Sequence, residues 1–226
     1  VSKAAHPLDA PVWQALTTRQ ATVARGDGRA RRIDPAYGLF AAVAVHVPDH
    51  HAALAGLVAP GETIGLFERA PPASLPGFRR TSTATCVQMI AADPPFAPTD
   101  AVSLGDADAA EMLALAGLTR PGPFFRHTHR FGGFLGVRID GRLAAMAGTR
   151  LALPGYREVS GVCTHPDFRG RGLAAGLIAA VAGAIRAAGD TPFLTSYADN
   201  AGAIALYRRL GFVPREEIVL SLFERH

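Results

Sequence analysis

Only two of the 226 residues are cysteine, Cys86 and Cys163, and they have no CxxC spacing. That scarcity excludes a disulfide framework and fits two buried thiols in a reducing compartment. No apolar run approaches the ~20 residues that a membrane span requires. The longest, Leu173 to Ile185, reads instead as a buried helix. The opening "VSKAAHPLDAPVW" lacks an apolar core of the secretory type, so the expected location is the cytoplasm, without membrane contact. Blocks of like charge are missing too: the formal net charge of +4 comes from dispersed arginines. A nucleic-acid arm is therefore not expected, and a small anionic ligand suits the chain better than a polyanion. There is no fixed-period repeat.

What the chain does have is apolar content: 49% hydrophobic against 19% charged residues, the balance of a folded protein. Its length admits one large domain or two small ones. The strongest punctuation is "ADPPFAPTDAVSLGDAD" (Ala92 to Asp108), where prolines and aspartates interrupt the apolar pattern. We place a boundary there, giving an N-terminal α/β half, 1–95, and a second domain, 96–226. In the first half "YGLFAAVAVHV", "ETIGLFE" and "RTSTATCVQMIA" read as strands, with a helix after His50 and His51. Those two histidines are adjacent, so they do not share a helix face and are expected to be solvated.

In the second half "DADAAEMLALAGL" reads as a helix with Asp106 or Asp108 as N-cap. Asp140-Gly141 lies between two strand-like runs and signals a two-residue hairpin, because both residues tolerate positive φ. Pro154-Gly155 marks the turn into a third strand, "REVSGVCT". A helix over Leu173 to Ala188, the strand "PFLTSY", a helix over Ala201 to Leu210 and a final strand or hairpin, "FVPREEIVLSLFER", complete the order. The whole is an α+β arrangement on a mixed central β-sheet flanked by helices.

The third strand leads into "RGRGLA", Arg169 to Ala174. A strand, a glycine-rich turn and a helix aim unpaired N–H groups and the positive end of the helix dipole at one point. A phosphate or pyrophosphate fits there. Gly170 and Gly172 admit an anion close to the backbone, and Arg169 and Arg171 can add charge-assisted hydrogen bonds. Gly170, Gly172 and Ala175 also satisfy a Rossmann GxGxxA reading, with Asp190 or Asp199 as the ribose-binding acid. Against it, "HPDF" and Arg169 separate the strand from the first glycine, the preceding strands look hairpin-linked, and little chain follows Asp199.

"VCTHPDFRGRGLAAGLI" resembles the central motif of the GCN5-related N-acetyltransferases (GNAT), (Arg/Gln)-x-x-Gly-x-(Gly/Ala), through Arg169, Gly172 and Ala174. "NAGAIALYRRLGF" is similar to that family's second motif through Asn200, Ala203, Leu206, Tyr207, Gly211 and Phe212. The resemblance covers roughly Gly105 to His226 and is nearest to the FR47-like branch, which includes glycine N-acyltransferase relatives. It implies a GNAT fold, with an N-terminal half resembling a degenerate second GNAT-like domain that binds no cofactor. It further implies acetyl-CoA, or another acyl-CoA, as cosubstrate and a primary amine as acceptor, without a metal.

On that resemblance Arg169, Gly170, Arg171, Gly172, Leu173 and Ala174 hold the pyrophosphate. The strand edge Val162-Cys163-Thr164 pairs with the pantetheine arm, Asn200 and Ala203 line it, and a backbone N–H near Cys163 or Thr164 polarises the thioester. Tyr207 is the candidate general acid, protonating the departing thiolate. Glu158, on the strand face of Ser160, Val162 and Thr164, is the candidate general base. His165 is near Cys163 in sequence, but the following Pro166 makes it a loop residue at the strand end, so Cys163 has no His partner to activate it and reads as packing.

His127 and His129, two apart, would share a side if extended, but two ligands without a third do not make a metal site. With Arg126 and Arg130 they hint at an amino acid or other anionic amine as acceptor. A homodimer is left open. Two other functions stand beside the enzyme reading: a non-catalytic acyl-CoA sensor that kept the fold, and the Rossmann-type NAD(P)-binding protein.

Overall fold

The computed structural model describes residues 6–91 and 100–226. Its helices are α1 (Pro11–Thr17), α2 (Pro48–Gly56), α3 (Ala109–Thr119), α4 (Leu173–Ala187) and α5 (Ala201–Arg209). The early strands are β1 (Ala24–Gly26), β2 (Ala30–Ile33), β3 (Ala41–Val43), β4 (Thr63–Glu68) and β5 (Phe78–Ile90). They are followed by β6 (Val102–Ser103), β7 (Leu135–Ile139), β8 (Arg142–Leu153), β9 (Tyr156–Thr164), β10 (Thr191–Tyr197) and β11 (Val213–Arg225).

β1, β2 and β3 form a small antiparallel sheet, and the other eight strands form one sheet in the order β4-β11-β5-β10-β9-β8-β7-β6. The boundary at 95/96 lies outside the described residues. Strands from both sides of it share the large sheet, since β5 hydrogen-bonds to β10 on one edge and to β11 on the other. Among the described strands of the large sheet the one parallel pair is β9 with β10, joined by α4 as the crossover.

Local chemistry explains most of these elements. Asp140 and Gly141 turn β7 into β8 at φ 50° and 77°, as a two-residue hairpin requires. α4 begins directly after Gly172 and buries Leu177, Ile178, Val181 and Ile185, the 3.6-period stripe of a sheet-packed helix. These side chains join Ala145, Ala147, Val159, Leu194 and Phe212 in one apolar cluster. The opposite sheet face is covered by α1, through Val12 and Leu16 against Leu151, Leu153, Phe193 and Ile218, and by α3, through Met112 and Leu115 against Met146 and Cys163. β11 is a single long strand, with a register shift between Pro214 and Glu216 that accommodates the proline.

Three sequence expectations are corrected or refined. The strand read from "YGLFAAVAVHV" shrinks to Ala41–Val43. Asp108 takes the N-cap position of α3 but without a side-chain cap: its Oδ2 instead accepts the Gly105 N–H at 3.0 Å. His51 is not solvated but buried, 3.0 Å from the His46 ring, which in turn contacts Glu68 at 2.9 Å. No helix among the described residues is long and apolar enough to cross a membrane.

Candidate active site

The parallel pair β9 and β10 is bonded only from Tyr156 to Glu158 and from Thr191 to Phe193. Beyond that point the strands splay, and a cavity of about 270 Å³ opens between Val159–Thr164 on one side and Leu194–Tyr197 on the other. A second cavity, at the Arg169–Ala175 turn, shares Val162, Cys163, Thr164, Ala174, Ala203 and Leu206 with it. The two form a continuous cleft from the turn to the middle of the sheet, so the segments nominated from the sequence for ligand binding come together.

The turn is built as an anion cradle. Gly170 and Gly172 lie at φ 77° and 74° with open space where a Cβ would project. Among the described residues, the next backbone N–H after Arg169 to find an acceptor is that of Gly176, on Gly172 O at 3.2 Å. The intervening N–H groups are left for a ligand. Arg169 and Arg171 are exposed beside it, and the Arg171 guanidinium sits 5.3 Å from the Phe168 ring centroid.

The open β9 edge follows from a bulge. Met146 faces Cys163 and Gly148 faces Ser160, so two residues, Gly161 and Val162, oppose Ala147 alone. Gly161 takes φ 63° there, the glycine-first form of bulge. A Cβ at Gly161 would meet the buried Phe134 ring at 2.8 Å, and one at Gly148 would meet it at 2.4 Å. Gly161→Ala combines an unfavourable φ with that clash, and the expected cost is ~1–3 kcal/mol in denaturant unfolding. His165 N donates to Ala144 O on β8 at 2.8 Å; by strand alternation the Thr164 N–H points the other way, into the cleft.

Tyr207 lines the cleft wall opposite β9 and packs edge-on against Phe212, centroids 6.3 Å apart. Burial pushes its phenol pKa above the ordinary value, so the proton is retained. Asn200 also lines the cleft while its Oδ1 caps α5, accepting the Ala203 N–H at 3.1 Å. Cys163 is buried and its thiol is pushed up to about 11 by desolvation, an inert rather than a nucleophilic state.

Glu158 is fully buried and is not among the residues lining the cleft. Its two oxygens accept from Arg150 Nε at 2.8 Å and Nη2 at 2.7 Å. It is Arg150 that reaches the cleft wall. Burial alone would lower the Arg150 pKa, but the Glu158 charge and hydrogen bonds outweigh it and raise the value. Several further lining residues were not nominated from sequence: Phe40, Phe67, Cys86, Ser160 and Thr195, the last with a buried Oγ1 that has no hydrogen-bond partner among the described residues.

His127 and His129 do not lie on an extended segment. Residues 128–131 form a 3-10 turn, His127 packs edge-on against Tyr37, and His129 Nε2 contacts Asp106 Oδ1 at 2.7 Å. Arg130 is tied to the same Asp106. None of Arg126, His127, His129 or Arg130 is among the residues lining the cleft. Among the described residues, no group of three or more His, Cys, Asp or Glu side chains is placed to hold a metal ion.

A sheet split at its one parallel pair, with an anion cradle at the head of the crossover helix, defines an acyltransferase-type architecture. The family model for FR47-like protein matches residues 134–220. A GNAT-family protein from Novosphingobium aromaticivorans is 48% identical, with 98% of this chain and 100% of that chain covered and a TM-score of 0.92. A GCN5-related N-acetyltransferase from Kribbella flavida shares the fold at 22% identity, with 97% and 96% of the two chains covered and a TM-score of 0.68. No curated protein sequence matches. The chain belongs to the GNAT family, its residues 134–220 are similar to the FR47-like model, and its function is acyl transfer.

Proposed function

We propose that the protein moves an acetyl group from acetyl-CoA to a primary amine by direct attack. The observation that carries this reading is the continuity of one cleft: free N–H groups at Gly170–Ala174, an unpaired β9 edge, then the Tyr207 phenol. The residues fit the cosubstrate in kind. The turn offers donors to a diphosphate, Thr164 and its neighbours offer main-chain groups to an amide-bearing arm, and the wall near Ala203 and Leu206 is apolar.

The thioester supplies an activated acyl carbon. Cleft-facing amides of β9 draw charge toward the acyl oxygen, and Tyr207, held protonated by its burial, returns a proton to the leaving sulfur. Cys163, with its raised pKa, takes no covalent part, so the amine attacks the acyl carbon itself. Glu158 serves this reading as a positioning residue that holds Arg150; the proton shed by the incoming ammonium leaves through water.

Isothermal titration with acetyl-CoA tests the proposal. Wild-type protein is expected to bind, and Gly172→Trp, which fills the space above the turn and strains φ 74°, to lose about tenfold or more in affinity. Equal binding by both proteins, or none by either, removes the assignment. Release of free CoA on adding an amine separates the enzyme from a non-catalytic sensor.

A further inference from the structure

The end of the cleft beyond Tyr207 crosses to the other sheet face, where residues of the N-terminal half form part of the wall: Phe40, Phe67 and Cys86. Arg150 is the charged side chain there, with its side chain 13% exposed. A guanidinium carries five N–H donors. Glu158 uses two of them, through Nε and Nη2. Among the described residues no acceptor meets the other three, two on Nη1 and one on Nη2. The guanidinium is also stacked over Phe40, 4.9 Å from its centroid, and Phe40 packs against Phe67 at 6.1 Å.

A buried guanidinium with an unspent fork calls for a carboxylate. The charge balance narrows the choice. Arg150 and Glu158 neutralise each other, so a zwitterion enters without changing the site's charge. A simple ammonium would add an unbalanced charge beside Arg150 and leave its donors unmet. The adjoining Phe40–Phe67 wall takes an apolar group.

We propose that this end of the cleft is the acceptor subsite and that its substrate is an α-amino acid with an apolar side chain, the carboxylate held by Arg150 and the side chain by Phe40 and Phe67. This rests on the acyl-transfer reading above. In the reaction the amine nitrogen bonds to the acyl carbon as the carbon–sulfur bond breaks. Of the two protons the ammonium loses, one reaches water and one replaces the proton Tyr207 gives to sulfur. The products are an N-acetyl amino acid and free CoA. Arg150 is thus a specificity residue, and the N-terminal half takes part in acceptor choice.

The test measures CoA release from acetyl-CoA with L-phenylalanine, L-leucine, glycine, 2-phenylethylamine and isoamylamine. The two apolar amino acids should exceed their decarboxylated counterparts by about 100-fold or more in kcat/KM, and exceed glycine by about tenfold. Arg150→Gln alone strands the Glu158 carboxylate, so the variant is the double Arg150→Gln/Glu158→Gln, in which two amides can pair. It should bring the carboxylate preference close to unity while acetyl-CoA still binds in the calorimeter. Equal use of the decarboxylated amines by wild type, glycine as the best acceptor, or a preference that survives in the double variant overturns the proposal. Absence of turnover with all five also overturns it, and calorimetric binding of acetyl-CoA in the same sample shows whether the parent reading falls with it.

Discussion

Tyr207→Phe lowers kcat by about 100-fold and leaves acetyl-CoA affinity unchanged. The ring of Tyr207 packs against Phe212, and phenylalanine keeps that contact, so folding and the cleft shape are preserved. What disappears is the phenol proton that Tyr207 places opposite the β9 edge. The pH dependence supplies the distinguishing sign. Burial raises the phenol pKa above its ordinary value of 10.0, so the wild-type acid is present throughout the neutral range and is lost only as pH rises through that raised value. The alkaline fall in kcat should therefore be seen in wild type and be missing from the variant. The same raised pKa makes the folded state lose stability as pH climbs past the unfolded phenol's pKa toward the folded one, so thermal unfolding must be followed at each pH. A tyrosine that only packs would leave kcat and the alkaline limb as they were.

The cleft's cofactor end was readable because its chemistry is local. Gly170 and Gly172 declare positive φ by residue type, the alanine-rich run after them declares a helix, and Asn200 caps the short helix that carries Tyr207. The acceptor end was not readable, because it is assembled from distant segments. Phe40 and Phe67 meet Arg150 only after β5, from the first half of the chain, has inserted between β10 and β11, and no local pattern announces such a pairing. Arg150 itself did leave a signal: a lone charge in the apolar run "LAAMAGTRLAL", facing a strand that carries Glu158. Counting back from the Pro154-Gly155 turn sets Leu151 against Glu158, but the register shifts between Thr149 and Ala152. A bulge there re-aims the arginine toward the carboxylate. Strand alternation, which ignores bulges, put Glu158 in the cleft as a base; the shift instead leaves Arg150 in the wall and Glu158 behind it.

Glu158→Ala should be the most destabilising single change in this region, by about 3–5 kcal/mol in denaturant unfolding. The carboxylate is 1% exposed, and the guanidinium it holds is 13% exposed. Removing the carboxylate leaves a buried cation whose Nε and Nη2 donors have lost their acceptor, together with the space the side chain filled; Leu151 N, 3.4 Å from Oε2, loses a neighbour as well. Removing both charges is a different operation. Arg150→Met/Glu158→Leu replaces the pair by apolar groups of similar length, and its stability should recover to near wild type, because the desolvation of two ions is no longer required. That recovery must be purely structural: the double variant regains the fold while the Arg150 donors to the cleft are gone, so acetyl-CoA binding returns and discrimination among acceptors does not. If instead Glu158→Ala unfolds at the wild-type midpoint and retains wild-type turnover, the ion pair neither supports the sheet nor positions Arg150.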